Sequence, residues 1–168
     1  FSYFVTKFAT ELPWRIIQGF FALVVFFLFR FAMGISLPLV HLPLELFLTV
    51  CIVFFALLLS FTFKMVLGLT AFWTIDFWGT LSLEDFLFSV FGGIVAPLML
   101  YPTVFLSIAK ALPFAYIVYF PVIAIEGLAS ISELLRIIAM QIFWLFILYW
   151  SYRKLWSKGL KKFSAIGR

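Results

Sequence analysis

Four stretches of the chain stay apolar with no polar periodicity: Ile16 to Ile35, Leu44 to Val66, Phe86 to Ile108 and Leu134 to Tyr152. A hydrocarbon core of about 30 Å takes about 20 helical residues at a rise of about 1.5 Å each. The four runs meet that length, so the pattern predicts four transmembrane helices. None of them alternates apolar with polar, as the strands of a membrane β-barrel do. The expected fold is therefore an all-α integral membrane protein, a polytopic helix bundle forming one transmembrane domain over 1–168.

The segments between the runs refine this picture. Phe1 to Pro13 mixes Lys7 and Glu11 with Tyr3, Phe4 and Phe8, which suits an amphipathic stretch at the membrane interface, and Pro13 is placed to open the first span. Gly34, Ser36, Pro38, His41 and Pro43 form a short connection, so spans one and two should be antiparallel neighbours. Lys64 ends span two with a stem that can lie along lipid while its ammonium reaches the headgroups. From Gly68 to Asp85, Phe72, Trp73, Phe77 and Trp78 surround Asp76 as an interface belt would, and Ser82 with Asp85 resembles a helix start.

Span three is interrupted by Gly92, Gly93, Pro97, Tyr101 and Pro102, so a kinked or broken helix is expected there. Ala111 to Ser132 holds Pro113, Pro121, Glu126 and Gly127 and reads as two short re-entrant or interfacial helices, an outer hairpin. Non-helical backbone at membrane depth is tolerated only where protein or water covers it.

Composition agrees with the pattern. The chain is 66% hydrophobic and 11% charged, with a mean hydropathy of +1.22, whereas a soluble domain carries about 25% charged residues. The net charge is +5, but Arg153, Lys154, Lys158, Lys161, Lys162 and Arg168 supply six of the twelve basic residues behind the last span. A basic tail there argues for topology over nucleic-acid binding and places the C-terminus in the cytoplasm by the positive-inside rule. Four spans then return Lys7 and Arg15 to that side and leave Ser36 to Pro43 and Ala111 to Ser132 outside; Arg30 and Arg136 fall on the outer side and oppose the rule. The chain opens without Met, and its natural start is expected upstream of Phe1.

Candidate chemistry is sparse. One His, one Cys and no phosphate-binding glycine loop leave no catalytic, cofactor or metal constellation to assemble. Cys51 reads as a small core residue, and no intrachain disulfide can form. His41 is either a turn residue facing water or the base of an interfacial lipid-processing site. Arg30 and Glu45 flank the first connection, where they can pair with each other or with headgroups. The 25 phenylalanines are better explained as lipid-facing bulk than as a ligand cage.

Five ordered motifs carry a resemblance: S-Y-F-V-T-K-F-A-T-E-L-P-W-R at Ser2 to Arg15, A-F-W-T-I-D-F-W-G at Ala71 to Gly79, F-G-G-I-V-A-P-L-M-L-Y-P at Phe91 to Pro102, L-P-F-A-Y-I-V-Y-F-P at Leu112 to Pro121, and W-x-x-G-L-K-K at Trp156 to Lys162. Together they resemble the membrane subunit of bacterial type-2 ATP-binding-cassette (ABC) exporters, in the six-helix branch, over the later two-thirds of that family's usual length. The tail departs from the family, which often ends in paired glycines where this chain has Gly167 and Arg168.

The resemblance implies a permease subunit forming half of the translocation path in a bacterial inner membrane. A second permease half, in a homo- or heterodimer, and cytoplasmic ATP-binding subunits would be its partners, with ATP hydrolysis on those subunits and not on this chain. Tyr3, Lys7, Glu11 and Arg15 would be the trailing edge of the loop that meets the ATPase. A surface rich in Phe, Leu and Tyr suits amphipathic lipids, peptides or drugs as cargo. Gly92, Gly93, Pro97, Pro102, Pro113, Phe114, Tyr119 and Pro121 are the expected outer gate, because prolines free carbonyls that must face protein or water. An interfacial helix anchored by aromatics is the plainer alternative for that segment, and a non-catalytic membrane scaffold or accessory subunit is the alternative for the chain.

Overall fold

The computed structural model describes residues 3–34, 43–73 and 77–166, and every regular element among them is helical. Ser36, Pro38, His41 and Asp76 lie outside the described residues. The chain divides into two compact units, Phe1–Pro38 and Leu39–Arg168.

The first unit is one helix, α1 (Tyr3–Met33), with Pro13 inside it. The interface stretch and the first apolar run are thus continuous, and Pro13 does not open a helix. Proline at this position removes one amide donor, whereas breaking the helix would free several backbone groups in apolar surroundings. None of the residues of α1 is buried, and Phe31 is 89% exposed. A helix apolar around its circumference requires lipid or another protein against it. Arg30 lies in its last turn and Glu45 in the first turn of the following helix, so each charge complements the dipole of its own helix end.

The second unit is organised by two long helices, α2 (Pro43–Gly68) and α7 (Ile131–Ile166). Leu48, Ile52, Leu59 and Phe63 on α2 and Leu134, Ile137 and Leu148 on α7 are buried in one apolar core. Their spacing of three, four, seven and eleven residues, each close to a whole number of turns, gives each helix a single inward stripe. The pair runs parallel: Gln141 meets Ile52 near one end, and Gly159 meets Phe72 near the other. Since α2 and α7 point the same way, the chain between them must return across the bundle.

That return is made in pieces. A 3₁₀ turn, Leu69–Phe72, extends α2, and α3 (Phe77–Phe91) then runs back along it. Glu84 reaches Lys64 and Phe88 packs on Phe63. Ser82 and Asp85 therefore lie inside a helix that begins earlier than expected. At 15 residues, α3 is about 22 Å long and cannot cross a hydrocarbon core alone.

The expected span from Phe86 to Ile108 is not one helix. After α3 the chain passes through Gly92 and Gly93 to a 3₁₀ turn, Leu98–Leu100, and then to α4 (Thr103–Ala111). Pro97 and Pro102 stand extended just before those two elements, with ψ of 134° and 147°, so each precedes the next helical segment and keeps it from joining the one before.

Next come α5 (Pro113–Ile117) and α6 (Tyr119–Ile125), the two short helices expected between Ala111 and Ser132. Pro113 and Pro121 fall in the first turns of α5 and α6, where an amide has no intrahelical acceptor to lose. By length and apolarity α1, α2 with its 3₁₀ extension, and α7 can each cross a membrane; a fourth crossing arises if α4 and α5–α6, bent by 70°, act as one broken span. If that pair crosses, the broken span overlaps the expected Phe86 to Ile108 only from Thr103 onward, because the glycine pair ends α3 first.

At the start of α7, Ser130 donates to the Glu133 carboxylate from its amide (2.9 Å) and its hydroxyl (2.8 Å), a capping arrangement of the S-x-x-E type. The helix runs 36 residues, so the basic residues from Arg153 to Lys162 continue the last apolar run without a break.

Candidate functional site

The segment α5–α6 runs on as one arm from Pro113 to Ile125, bent by 70° from α4 to form the α4/α5–α6 hairpin; it packs among α2, α3 and α7, and small and polar residues hold it there. Gly92 lets the α5–α6 junction approach the end of α3: a Cβ on Gly92 would collide with the Phe88 carbonyl and lie 3.2 Å from Val118 Cγ2. Gly93, at φ +80°, takes a backbone conformation that disfavours any side chain. A four-ring cluster forms below, with Phe114 at 5.1 Å from Phe63, 5.5 Å from Phe88 and 6.3 Å from Phe91.

Polar contacts fix the depth of the hairpin. Gln141, fully buried on α7, donates from Nε2 to the carbonyls of Ile52 (3.0 Å) and Tyr116 (2.9 Å). One amide group thereby ties α2, α5 and α7 together. The Thr49 hydroxyl donates to the Ala124 carbonyl at 3.4 Å, and the Tyr116 hydroxyl donates to the Lys110 carbonyl at 3.0 Å, closing α4 against α5. The Tyr116 carbonyl beside the α5–α6 junction and the Ala124 carbonyl at the end of α6 are thus met by donors from neighbouring helices, as irregular backbone in apolar surroundings requires.

The expected gate residues separate into two groups. Gly92, Gly93, Pro113, Phe114 and Pro121 converge on the packed interior, and Phe114, 5% exposed, faces the chain's own core. Tyr119 is half-buried and packs on Phe120 (5.3 Å) beside a second cluster of Leu98, Ala109 and Ala115 that also gathers Tyr101 and Leu106. Pro97 and Pro102 are both exposed; both act by placing the segments around them.

On α1, Tyr3, Lys7, Glu11 and Arg15 recur every fourth residue and line one side of the helix, with Arg15 Nη2 paired to Glu11 Oε2 at 3.3 Å. Among the described residues no three of His, Cys, Asp and Glu gather as a metal site, and Cys51 is half-buried on α2.

Sequence reasoning missed two polar contacts. Lys64 Nζ pairs with Glu84 Oε1 at 3.3 Å, joining α2 to α3; the lysine is not simply aimed at headgroups. Gln141 was the other. Its signal was visible, since it is the lone amide in the apolar run Leu134 to Tyr152, and a polar side chain within a span marks a site by default.

The profile of one family, described as ABC-2 family transporter protein, matches residues 1–167. The chain belongs to the ABC-2 transporter family. Neither a curated protein nor a solved structure matches it. As an ABC-2 membrane protein it has a permease role in an ABC transporter, and it is a non-enzymatic membrane component. Membership in the family implies ATP-binding partner subunits in general. The broken return between α2 and α7 is the irregular part of this ABC-2 permease, and its bent α4/α5–α6 segment is the candidate site.

Proposed function

We propose that the chain is the transmembrane half of an ATP-driven exporter in a bacterial inner membrane. It forms half of the translocation path, with a second permease half across from it and ATP hydrolysis on two cytoplasmic subunits. The observation that carries this reading is the bent α4/α5–α6 segment, tied into the bundle by Gln141 and Thr49. A bundle serving only as scaffold gains nothing from a return strand broken at Gly92, Gly93, Pro97 and Pro102. In this reading the hairpin and the glycine break form the outer gate. Gly92, Gly93, Pro97, Pro102, Pro113 and Pro121 shape it, Phe114 seats it in the core, and Tyr119 offers the ring that meets the partner half.

The parallel course of α2 and α7 supports the topology. It brings Lys64 and the basic tail to one end of the bundle, which the positive-inside rule assigns to the cytoplasm. Tyr3, Lys7, Glu11 and Arg15 then meet the ATPase, and the hairpin faces outward.

The test is reconstitution. The chain alone in proteoliposomes should hydrolyse no ATP, and adding its ATP-binding partner subunit with ATP on the outside should give hydrolysis and uptake of an amphipathic cargo into the lumen. Robust hydrolysis by the chain alone, or no association with any ATP-binding subunit, would overturn the proposal. For topology, outside labelling that reached a cysteine at Ser157 but never one at Ser130 would reverse the orientation.

A further inference from the structure

The extension of α7 past the last span has two unlike faces. Tyr152, Leu155, Trp156 and Gly159 turn inward, and a Cβ at Gly159 would press into the Phe72 ring, within 2.8 Å of its Cε2 and Cγ. Trp156 lies 6.4 Å from Phe72 and stacks on Tyr152 at 6.1 Å. This packing braces the helix beyond its apolar run. On the opposite side Arg153, Lys154, Lys158 and Lys161 are all exposed, and Lys154, Lys158 and Lys161 follow the four- and three-residue spacing of one helical stripe.

Length decides what the stripe can reach. Leu134 to Tyr152 accounts for about 27 Å at about 1.5 Å per residue, enough for the hydrocarbon core, and the headgroup layer adds only about 5–8 Å. Lys154 Nζ sits 3.8 Å from the centre of the Trp150 ring, as suits a cation at headgroup level. The Cα atoms of Lys158 and Lys161 lie about 9 and 14 Å past Tyr152 along the helix axis, at the outer edge of that layer and beyond it, within reach of a soluble protein. A braced helix that projects a positive face from the membrane is suited to an acidic protein surface.

We propose that this face, centred on Lys158 and Lys161, docks an acidic surface of the ATP-binding partner subunit, as a contact separate from the Tyr3–Arg15 stripe of α1. The proposal rests on the permease reading above. Partner and chain are co-expressed, purified as a complex, and compared with Lys158→Glu/Lys161→Glu. Lys110→Glu serves as control, an exposed lysine on α4, toward the other end of the bundle. A photo-crosslinking residue is placed at Ser157 on the same exposed side.

The double reversal should lower recovery of the ATP-binding subunit by about tenfold at low salt, because like charges face each other across the contact. The wild-type association should weaken with added salt, and the crosslink should join the two proteins. Lys110→Glu should leave recovery unchanged, and both variants should elute as monodisperse protein. If wild type and double variant retain the subunit equally and no crosslink forms, the docking inference is overturned while the permease reading stands. If the variant keeps the subunit but loses binding to phosphatidylglycerol nanodiscs relative to phosphatidylcholine, the face serves the membrane and the inference is likewise overturned. If the wild-type chain retains no ATP-binding subunit at all, the permease reading fails and this inference fails with it.

Discussion

Gln141→Leu isolates the device that seats the hairpin. The change removes both donations from Nε2, to Ile52 and to Tyr116, and fills nearly the same volume with an apolar group. Hydrogen bonds between membrane helices contribute about 0.6 kcal/mol on average and up to about 1.7, so two are expected to contribute about 1–3 kcal/mol. One offset must be subtracted. Gln141 Oε1 is buried with no hydrogen-bond partner, and leucine relieves that desolvated acceptor. The Ile52 carbonyl lies within α2 and keeps its place in the helix ladder, but the Tyr116 carbonyl lies beside the α5–α6 break. The net loss should therefore fall at the hairpin, at about 1–2 kcal/mol, which raises its opening equilibrium by about 5- to 30-fold. The assay is maleimide labelling of a single cysteine at Phe120 in a Cys51→Ser background, in native membranes, with thermal unfolding of the purified protein alongside. Phe143→Leu, on the exposed side of α7, is the control. Labelling and thermal midpoint unchanged from wild type in Gln141→Leu would refute the claim that this amide positions the hairpin.

Phe114→Ala should destabilise the fold by about 3–5 kcal/mol, since it opens a cavity in the four-ring cluster, and loss of folded protein on detergent elution is the check; Tyr119→Ala should leave folding intact and raise basal leak of the reconstituted transporter. Gly93→Ala, forced to φ +80°, should cost about 1–2 kcal/mol, read as a lowered thermal midpoint. Gly159→Leu should separate the α7 extension from Phe72 at about 1–3 kcal/mol by overpacking, and Phe72→Ala in the same chain should restore part of the loss. Lys64→Met should destabilise more than Lys64→Met/Glu84→Gln, because the single change strands a buried carboxylate; equal midpoints for the two would show that the ion pair does not join α2 to α3.

The membrane class, the long apolar helices α1, α2 and α7, and the failure of the third span were legible in the chain alone. Each follows from local physics: run length against bilayer thickness, and glycine and proline against the helix ladder. The family was legible too, through the order of its motifs. Boundaries were less so. Pro13 sits within a continuous helix because the surrounding residues keep the ladder closed, and the return helix starts at Phe77, before the Ser82 signal, because packing of α3 on α2 decides where it begins. Only tertiary structure could assign partners. No periodicity distinguishes a Phe114 that faces lipid from one that meets three other rings, and no spacing announces that Gln141, 89 positions from Ile52, bonds its carbonyl. Such contacts join residues distant in sequence, and their geometry exists only once α2 and α7 lie parallel with the broken return packed between them.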